Sequence, residues 1–510
     1  MTILQSAPGV RRAETARGTN RWSILVLLCL SLLLITVDAT VLHIAVPALT
    51  AALEPSSVEL LWIIDAYSLV VAPLLIMFGT LGDRYGRKRL VLWGYVVFGL
   101  ASAGAAFAPT PLTLILARAL LGVGGAMIMP ATLSIIRQVF TDRRERAIAL
   151  GVWSAVAAAG AAIGPLIGGL LVEHSWWGAV FLINVPILLA LLPAAHLLLP
   201  ESRERTGRPW DATSAVLSVL GILAVAFGIK EAGSGHPGAV AVLLAGAALL
   251  AWFVRRQRRL PYPLLDVGLF RDRAFAAGVA GVLLGVFSLV GLQLMLAQYL
   301  QLVLGDSPLR AALRMLPLVL SAIAGGLAAA AVLRRIGMRA TMSGGLALVA
   351  VSLTPTLAWG VEPHSFLLAV CFVGIGFGLQ VALLAASDTI MSAAPESRAG
   401  GAAAIEETAY ELGAGLGVAV LGTITAVVYA PGVPTVAGIP AQAMEQARQS
   451  MAAAAHVARQ TGGEAGAALI EAARWAFVHA LHTTIIVSVV LLTVTSAAVA
   501  VLIRRDRGLE

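Results

Sequence analysis

Five carboxylates stand inside long apolar runs of this 510-residue chain: Asp38, Asp65, Glu406, Glu407 and Glu411. An ionisable side chain at bilayer depth costs roughly 2.5–3.5 kcal/mol on insertion scales, and such residues usually line an ion or substrate path. Removal from water penalises the charged form of a carboxyl group. It can therefore hold a proton while closed off and release it as a cation approaches. Glu407 and Glu411 are four residues apart and share a helix face, while Glu406 points about 100° away, toward the side of Tyr410. Like charges this close disfavour each other's ionisation, so at least one of the three is expected to be protonated at rest. The chemistry these residues offer is exchange of protons against a cation. The sequence contains no convergent nucleophile–base pair, no metal-ligand cluster and no Gly-rich Lys-Ser/Thr phosphate loop. It therefore predicts neither an enzyme nor a direct user of ATP, and no metal or cofactor.

Three further side chains belong to this reading. Arg118 also lies within an apolar run, and a buried Arg needs a counter-charge; Asp38 is the first candidate. Trp62 stands one turn before Asp65, and an aromatic face beside a carboxylate suits a lipophilic cation. Trp62 is equally readable as an anchor at the membrane interface. His43, about one turn beyond Asp38, is either a proton relay or a packed structural histidine.

The elements that position these groups follow from composition. The chain is 59% hydrophobic and 12% charged, where soluble domains carry about 25% charged residues. This is an integral membrane protein, and its 51 glycines suit close helix packing in lipid. Spans of about 20 apolar residues recur about fourteen times, with Asp38 in the first, Asp65 in the second and the three glutamates in the thirteenth. Asp38 lies 17 residues past Arg21, roughly 25 Å along a helix. Most of the 35 Lys+Arg fall on every second loop, as the positive-inside rule requires. Both termini are then cytoplasmic, and the net charge of +8 is a topology signal that gives no reason to expect nucleic acid. Cys29 and Cys371 fall within spans, so no structural disulfide is expected.

The expected organisation is a cytoplasmic N-terminus (1–22), a six-helix half (23–199), two additional helices (200–260), a second six-helix half (261–503) and a cytoplasmic tail (504–510). Lys230 and Glu231 read as the start of a short outer turn between the additional helices. The stretch 431–475 lies outside by parity. Its pattern suggests two short amphipathic helices, 441–455 and 464–475, or else a loop. Asp83-Arg84-Tyr85-Gly86-Arg87-Lys88 is echoed by Arg334-Arg335-Ile336-Gly337-Met338-Arg339 in the corresponding place of the second half. Such an echo fits transporters built from repeats, with the site between them at the midplane.

The motifs are specific. Gly79-Thr80-Leu81-Gly82-Asp83-Arg84-Tyr85-Gly86-Arg87-Lys88-Arg89 resembles the loop between helices 2 and 3 of the major facilitator superfamily. Its glycines let helix ends approach, and Asp83, Arg84 and Arg87 can form a conformational charge latch. Arg118 with Gly122, Gly124 and Gly125 resembles the buried-arginine motif of that superfamily. Gly160, Gly164, Pro165, Gly168 and Gly169 resemble its antiporter motif, with glycines four apart making a smooth face. The segments Val37-Asp38-Ala39-Thr40-Val41, Leu61-Trp62-Ile63-Ile64-Asp65-Ala66-Tyr67, Trp177-Gly178 through Asn184-Val185-Pro186, and Glu406-Glu407-Thr408-Ala409-Tyr410-Glu411-Leu412-Gly413 are similar to the 14-helix drug:proton antiporter branch, within it the multidrug pumps for quaternary ammonium compounds.

That resemblance implies an all-α major facilitator fold of 14 transmembrane helices in a bacterial cytoplasmic membrane, acting as a monomer. It implies proton-driven export of small lipophilic cationic drugs. Asp38, Arg118, Glu406 and Glu407 would serve proton coupling, and Asp38, Trp62, Asp65, Glu407, Tyr410 and Glu411 would bind the cation. Some relatives carry an acid in the tenth helix; Leu318-Val319-Leu320-Ser321-Ala322 here has none, which disfavours bulky dications. The alternatives are a dedicated exporter of one endogenous metabolite or antibiotic on the same chassis, and, more remotely, a non-transporting membrane sensor.

Overall fold

Apolar runs of this length have few ways to satisfy their backbone groups in lipid, and a helix does so within the segment. A computed structural model describes residues 20–201, 211–233, 237–261, 263–358, 360–361, 365–394 and 399–503, and the described residues contain helices but no strand. The first group of helices is Arg21–Leu53 (α1), Ser57–Tyr85 (α2), Arg87–Ala106 (α3), Pro111–Val139 (α4), Arg143–His174 (α5), Ala179–Leu182 (α6) and Asn184–Leu198 (α7). Ala212–Gly233 (α8) and Ala239–Gln257 (α9) follow. The last group is Arg273–Gln298 (α10), Pro308–Arg314 (α11), Leu316–Leu353 (α12), Ser365–Ala393 (α13), Ala399–Gly432 (α14), Ala441–Gln449 (α15), Met451–Thr461 (α16) and Gly463–Leu502 (α17).

Among the described residues, 13 apolar helical stretches are long enough to cross a membrane. One of them, Pro308–Ala358, has 51 residues and folds back at Gly337 (φ 76°, ψ 166°). The fold-back adds a crossing and gives the 14-helix fold. An even number of crossings puts both ends of the described chain on one side, here the terminal face; the other is the capped face. Gly86, in the matching loop of the first half, also has positive φ (113°). The internal echo in the sequence is thus a pair of glycine-dependent turns at the terminal face.

Helices α1–α7 pack among themselves, as do α10–α14 with α17. The halves meet chiefly where α2 packs on α14. Helix α8 lies against both α2 and α14, on their seam, and α9 packs behind it on α8. The accessory pair therefore reaches the contact between the halves through α8.

The capped face takes its name from α15 and α16, which bury Met444, Ala447, Met451, Ala454 and Val457. The short helix expected at 464–475 is instead the beginning of the 40-residue α17. The chain breaks earlier, at Gly462 and Gly463 (φ 64° and 57°), and nothing between Glu464 and Trp475 interrupts the helix. The cap bridges the halves: Gln446 Nε2 donates to Glu54 Oε2 (3.4 Å), His456 Nε2 lies 3.4 Å from Glu54 Oε1, and Ser57 Oγ donates to the Gln449 carbonyl. Beneath it, Glu173 accepts from Ser307 Oγ (2.9 Å) and Leu309 N (3.0 Å), and Gln301 Nε2 donates to the Ile44 carbonyl (3.1 Å). These bonds all lie on the capped side, so the halves are closed there.

Gly337 occupies a region of φ/ψ space essentially restricted to glycine, where another residue costs about 1–3 kcal/mol. Gly337→Ala should lower the melting temperature of the purified protein. Gly344→Ala, in the same helix with nothing within 4 Å of the added Cβ, should leave it unchanged or raise it. Equal melting of the two variants would contradict a strained turn at Gly337.

Candidate functional site

The Arg118 guanidinium is 1% exposed within the apolar first half, and the neighbouring helices are arranged to receive it. Pro111 and the Thr110 capping box start α4 at the capped face, which puts Arg118 about 10 Å deep. Its Nη1 donates to Asp38 Oδ2 on α1 (3.0 Å), its Nε to the Ile63 carbonyl (3.1 Å) and its Nη2 to the Ile64 carbonyl (3.2 Å), both on α2. The Tyr67 and Phe181 rings lie 5.0 and 5.9 Å from the guanidinium carbon. The second Asp38 oxygen accepts from Asn184 Nδ2 (2.7 Å), which also donates to Ser102 Oγ (3.1 Å). Asn184 stands where α6 gives way to α7, and that break turns its amide toward α1. Removing one partner of such a pair costs about 3–5 kcal/mol, because it strands the other charge. His43 is buried with Nδ1 unpartnered in the structure.

The glutamates approach from the other half. Glu411 on α14 is buried and has Ser68 of α2 beside it. Glu407 and Glu406 are half-buried, and Glu406 has Ser387 of α13 as its neighbour. Tyr410 is 39% exposed and lies within electrostatic reach of Glu411 and Glu407. Tyr67 stands between the two acid groups: it is in reach of Glu411, Asp38 and Glu407, its ring faces Arg118, and its hydroxyl has no hydrogen-bond partner. The structure thus brings Asp38, Arg118, Glu407 and Glu411 around one tyrosine.

Asp65 and Trp62 form a separate group, and it differs from the sequence expectation. The turn expected at Lys230 and Glu231 comes later, because α8 continues to Gly233. Lys230 is 1% exposed, with Nζ 2.6 Å from Asp65 Oδ1 and 3.5 Å from the centre of the Trp62 ring. In this state the Trp62 ring is not an open surface for a drug: a cation of the protein itself lies on it.

The antiporter motif sets the spacing of α1. A Cβ on Gly160 or Gly164 would collide with Thr36 Oγ1 or Thr40 Oγ1, and one on Gly168 would sit 2.7 Å from the Val41 carbonyl. Thr36, Thr40 and Val41 flank Asp38, so α5 supports the segment that carries the acid; Pro165, next to Gly164, is buried. Gly169 faces the other half, where a Cβ would lie 2.9 Å from Leu309 Cα. In the expected latch, Gly79 packs near Pro130, Arg84 stacks on Tyr85 at 5.5 Å, and Gly86 makes the turn that starts Arg87 in α3. The Asp83 side chain lies outside the described residues.

Sequence reasoning missed Asn184, Ser102, Tyr67 and Lys230 as members of the site. Asn184 and Lys230 carried a signal, a polar side chain within or at the end of an apolar run. Ser102 and Tyr67 did not, since neither stands out from ordinary packing.

Comparison with known proteins agrees with this architecture. The family model described as Major Facilitator Superfamily matches residues 28–418. The chain is 40% identical over 508 residues to the multidrug efflux pump LfrA of Mycolicibacterium smegmatis, covering 99% of this chain and 100% of that one. It is 41% identical over 462 residues to the methyl viologen resistance protein SmvA of Salmonella typhimurium, covering 90% and 93%. Among solved structures, a bacterial homologue of the human lysosomal transporter Spinster, inward-facing and unoccupied, superposes with a TM-score of 0.65 at 19% identity, covering 94% of this chain and 96% of that one. The chain belongs to the Major Facilitator Superfamily. It is a multi-pass bacterial membrane transporter, and that family's members are not enzymes.

The Asn184 bonds predict a thermodynamic cycle. Asn184→Ala strands one Asp38 oxygen and Ser102 Oγ, a loss of about 1–3 kcal/mol. Ser102→Ala alone removes the shared bond and should cost about 0.5–1.5 kcal/mol, whereas adding it to Asn184→Ala should cost nothing more, because that bond is already gone. Fully additive falls in melting temperature would show that the two side chains act independently.

Proposed function

We propose that this protein is a proton-coupled antiporter that exports hydrophobic monovalent organic cations, such as ethidium-like dyes and quaternary ammonium antiseptics, and thereby confers multidrug resistance on a bacterium. The observation that carries the reading is the placement of acids from both halves around Tyr67 and Arg118. The multidrug efflux and methyl viologen resistance relatives support drug export as the activity.

In this reading the termini are cytoplasmic, the capped face is outside, and the present state is open toward the cytoplasm. A cation enters from the terminal side past Tyr410 and meets Glu406, Glu407 and Glu411. Protons arriving from outside, driven by the proton motive force, neutralise Asp38 and a glutamate of α14. Neutral Asp38 loses its charge-assisted bond to Arg118. Arg118 in turn holds two carbonyls of α2, the helix that packs on α14, so the proton changes the grip at the joint between the halves. The cation loses its counter-charge in the same step and leaves outward. The latch at Gly79–Arg89 and the glycine face of α5 let the halves shift without opening a gap.

The test is proton movement in proteoliposomes holding a preset pH gradient. Ethidium should trigger proton flux with the wild type. Asp38→Asn should abolish it, and Glu407→Gln should reduce it, at unchanged protein incorporation. Absence of flux with a panel of organic cations would overturn the proposal. Methyl viologen, which carries two charges, tests the valence: flux equal to that with ethidium would extend the substrates to dications.

A further inference from the structure

Lys230 is a buried charge that the export scheme above does not use. It lies three residues from the end of α8, where a lysine can usually extend its ammonium to the interface. Here the side chain turns inward and is fully buried. The chain has only two lysines, Lys88 and Lys230, among 35 Lys+Arg, so the choice of lysine matters. An arginine would engage a carboxylate with two parallel bonds, whereas an ammonium is a compact point charge. Lys230 makes one bond to Asp65 Oδ1, and Asp65 Oδ2, also buried, has no hydrogen-bond partner in the structure. The Trp62 ring supplies an aromatic face to the ammonium and lies 6.2 Å from Phe227 of α8. A carboxylate with a free oxygen, joined through one ammonium to an aromatic face, offers the chemistry that binds an organic cation.

The place is suitable as well. A cavity of about 560 Å³ opens beside Lys230, between α2, α14 and the cap helix α15, with Leu61, Thr423, Glu445 and Arg448 also in its wall; Asp65 and Trp62 do not line it, so it is the space into which the ammonium can withdraw. Helix α8 sits on the seam of the halves, so its lysine can move relative to Asp65 when the seam shifts.

We propose that Asp65 and Trp62 form an organic-cation site on the capped side of the path, and that Lys230 occupies it as a built-in competitor. A lipophilic cation and the Lys230 ammonium then exclude each other: the ammonium moves into the cavity when the cation binds Asp65, and returns when the cation has left. This deepens the proposed export of organic cations and rests on that reading.

The probe is tetraphenylphosphonium, which has one delocalised charge and no titratable group, bound at equilibrium to the purified full chain. If the lysine fills the site most of the time, the apparent affinity is reduced by the small open fraction, so Lys230→Met should tighten binding about tenfold or more. The gain should vanish in the Asp65→Asn, Lys230→Met double variant. In the wild type, the probe should raise labelling of Lys230 by an amine reagent, read by mass spectrometry, with Lys88 as the internal standard. This second measurement holds even if Lys230→Met does not fold. Unchanged or weaker binding by folded Lys230→Met, a gain that survives Asp65→Asn, or Lys230 labelling indifferent to the probe overturns the inference. Any of these alongside ethidium-driven proton flux leaves export standing and removes only the competitor. Absence of both binding and flux overturns the two together.

Discussion

A guanidinium in an apolar interior must be fully satisfied, and much of the first half is arranged to satisfy Arg118. Its bonds draw in α1 through Asp38 and α2 through two backbone carbonyls, and the Asn184 amide adds α7. Phe181 and Tyr67 close the site off with rings. The arrangement is rigid because every bond is oriented. It is responsive because one of them depends on a carboxylate that can be neutralised. The glycine face of α5 serves the same constraint from behind by letting α1 come close enough for Asp38 to reach.

The two buried ion pairs show opposite designs. Asp38 has both oxygens occupied, and its arginine has additional bonds to backbone. Asp65 has one oxygen bonded, to a lysine carried on an accessory helix outside the two packed halves. The first pair ties helices of one half together. The second ties α2 to the accessory helix that lies on the seam. A point-charge contact with a single bond suits a joint that opens; a forked contact suits one that stays.

Much of this could be read in the sequence. Long apolar runs marked the helices, and alternating basic loops required an even number of them. The intramembrane acids and Arg118 stood out because charge is rare at that depth. The turn at Gly337 was visible as an echo of the one at Gly86. Less legible were features set by tertiary reach. Lys230 looked like a turn residue because sequence position does not reveal which way a long flexible side chain points. The cap was expected as one helix over 441–455 and another over 464–475; the chain instead breaks at Ser450 to give α15 and α16, and Glu464–Trp475 is the beginning of a span. Tyr67 gave no signal, because its importance lies in what stands on either side of it in space.

The 40-residue α17 is about 60 Å long, twice the roughly 30 Å of a bilayer's hydrocarbon. Its surplus rises on the capped face, and α16 packs along it. The cap is thus mounted on a rod anchored in the second half, while the residues it grips, Glu54 and Ser57, belong to the first. Any separation of the halves there lifts the cap off one shoulder and not the other. The molecule consequently presents an asymmetric epitope, and a binding reagent bridging both shoulders would act as a clamp that reads, and can freeze, the state of the transporter.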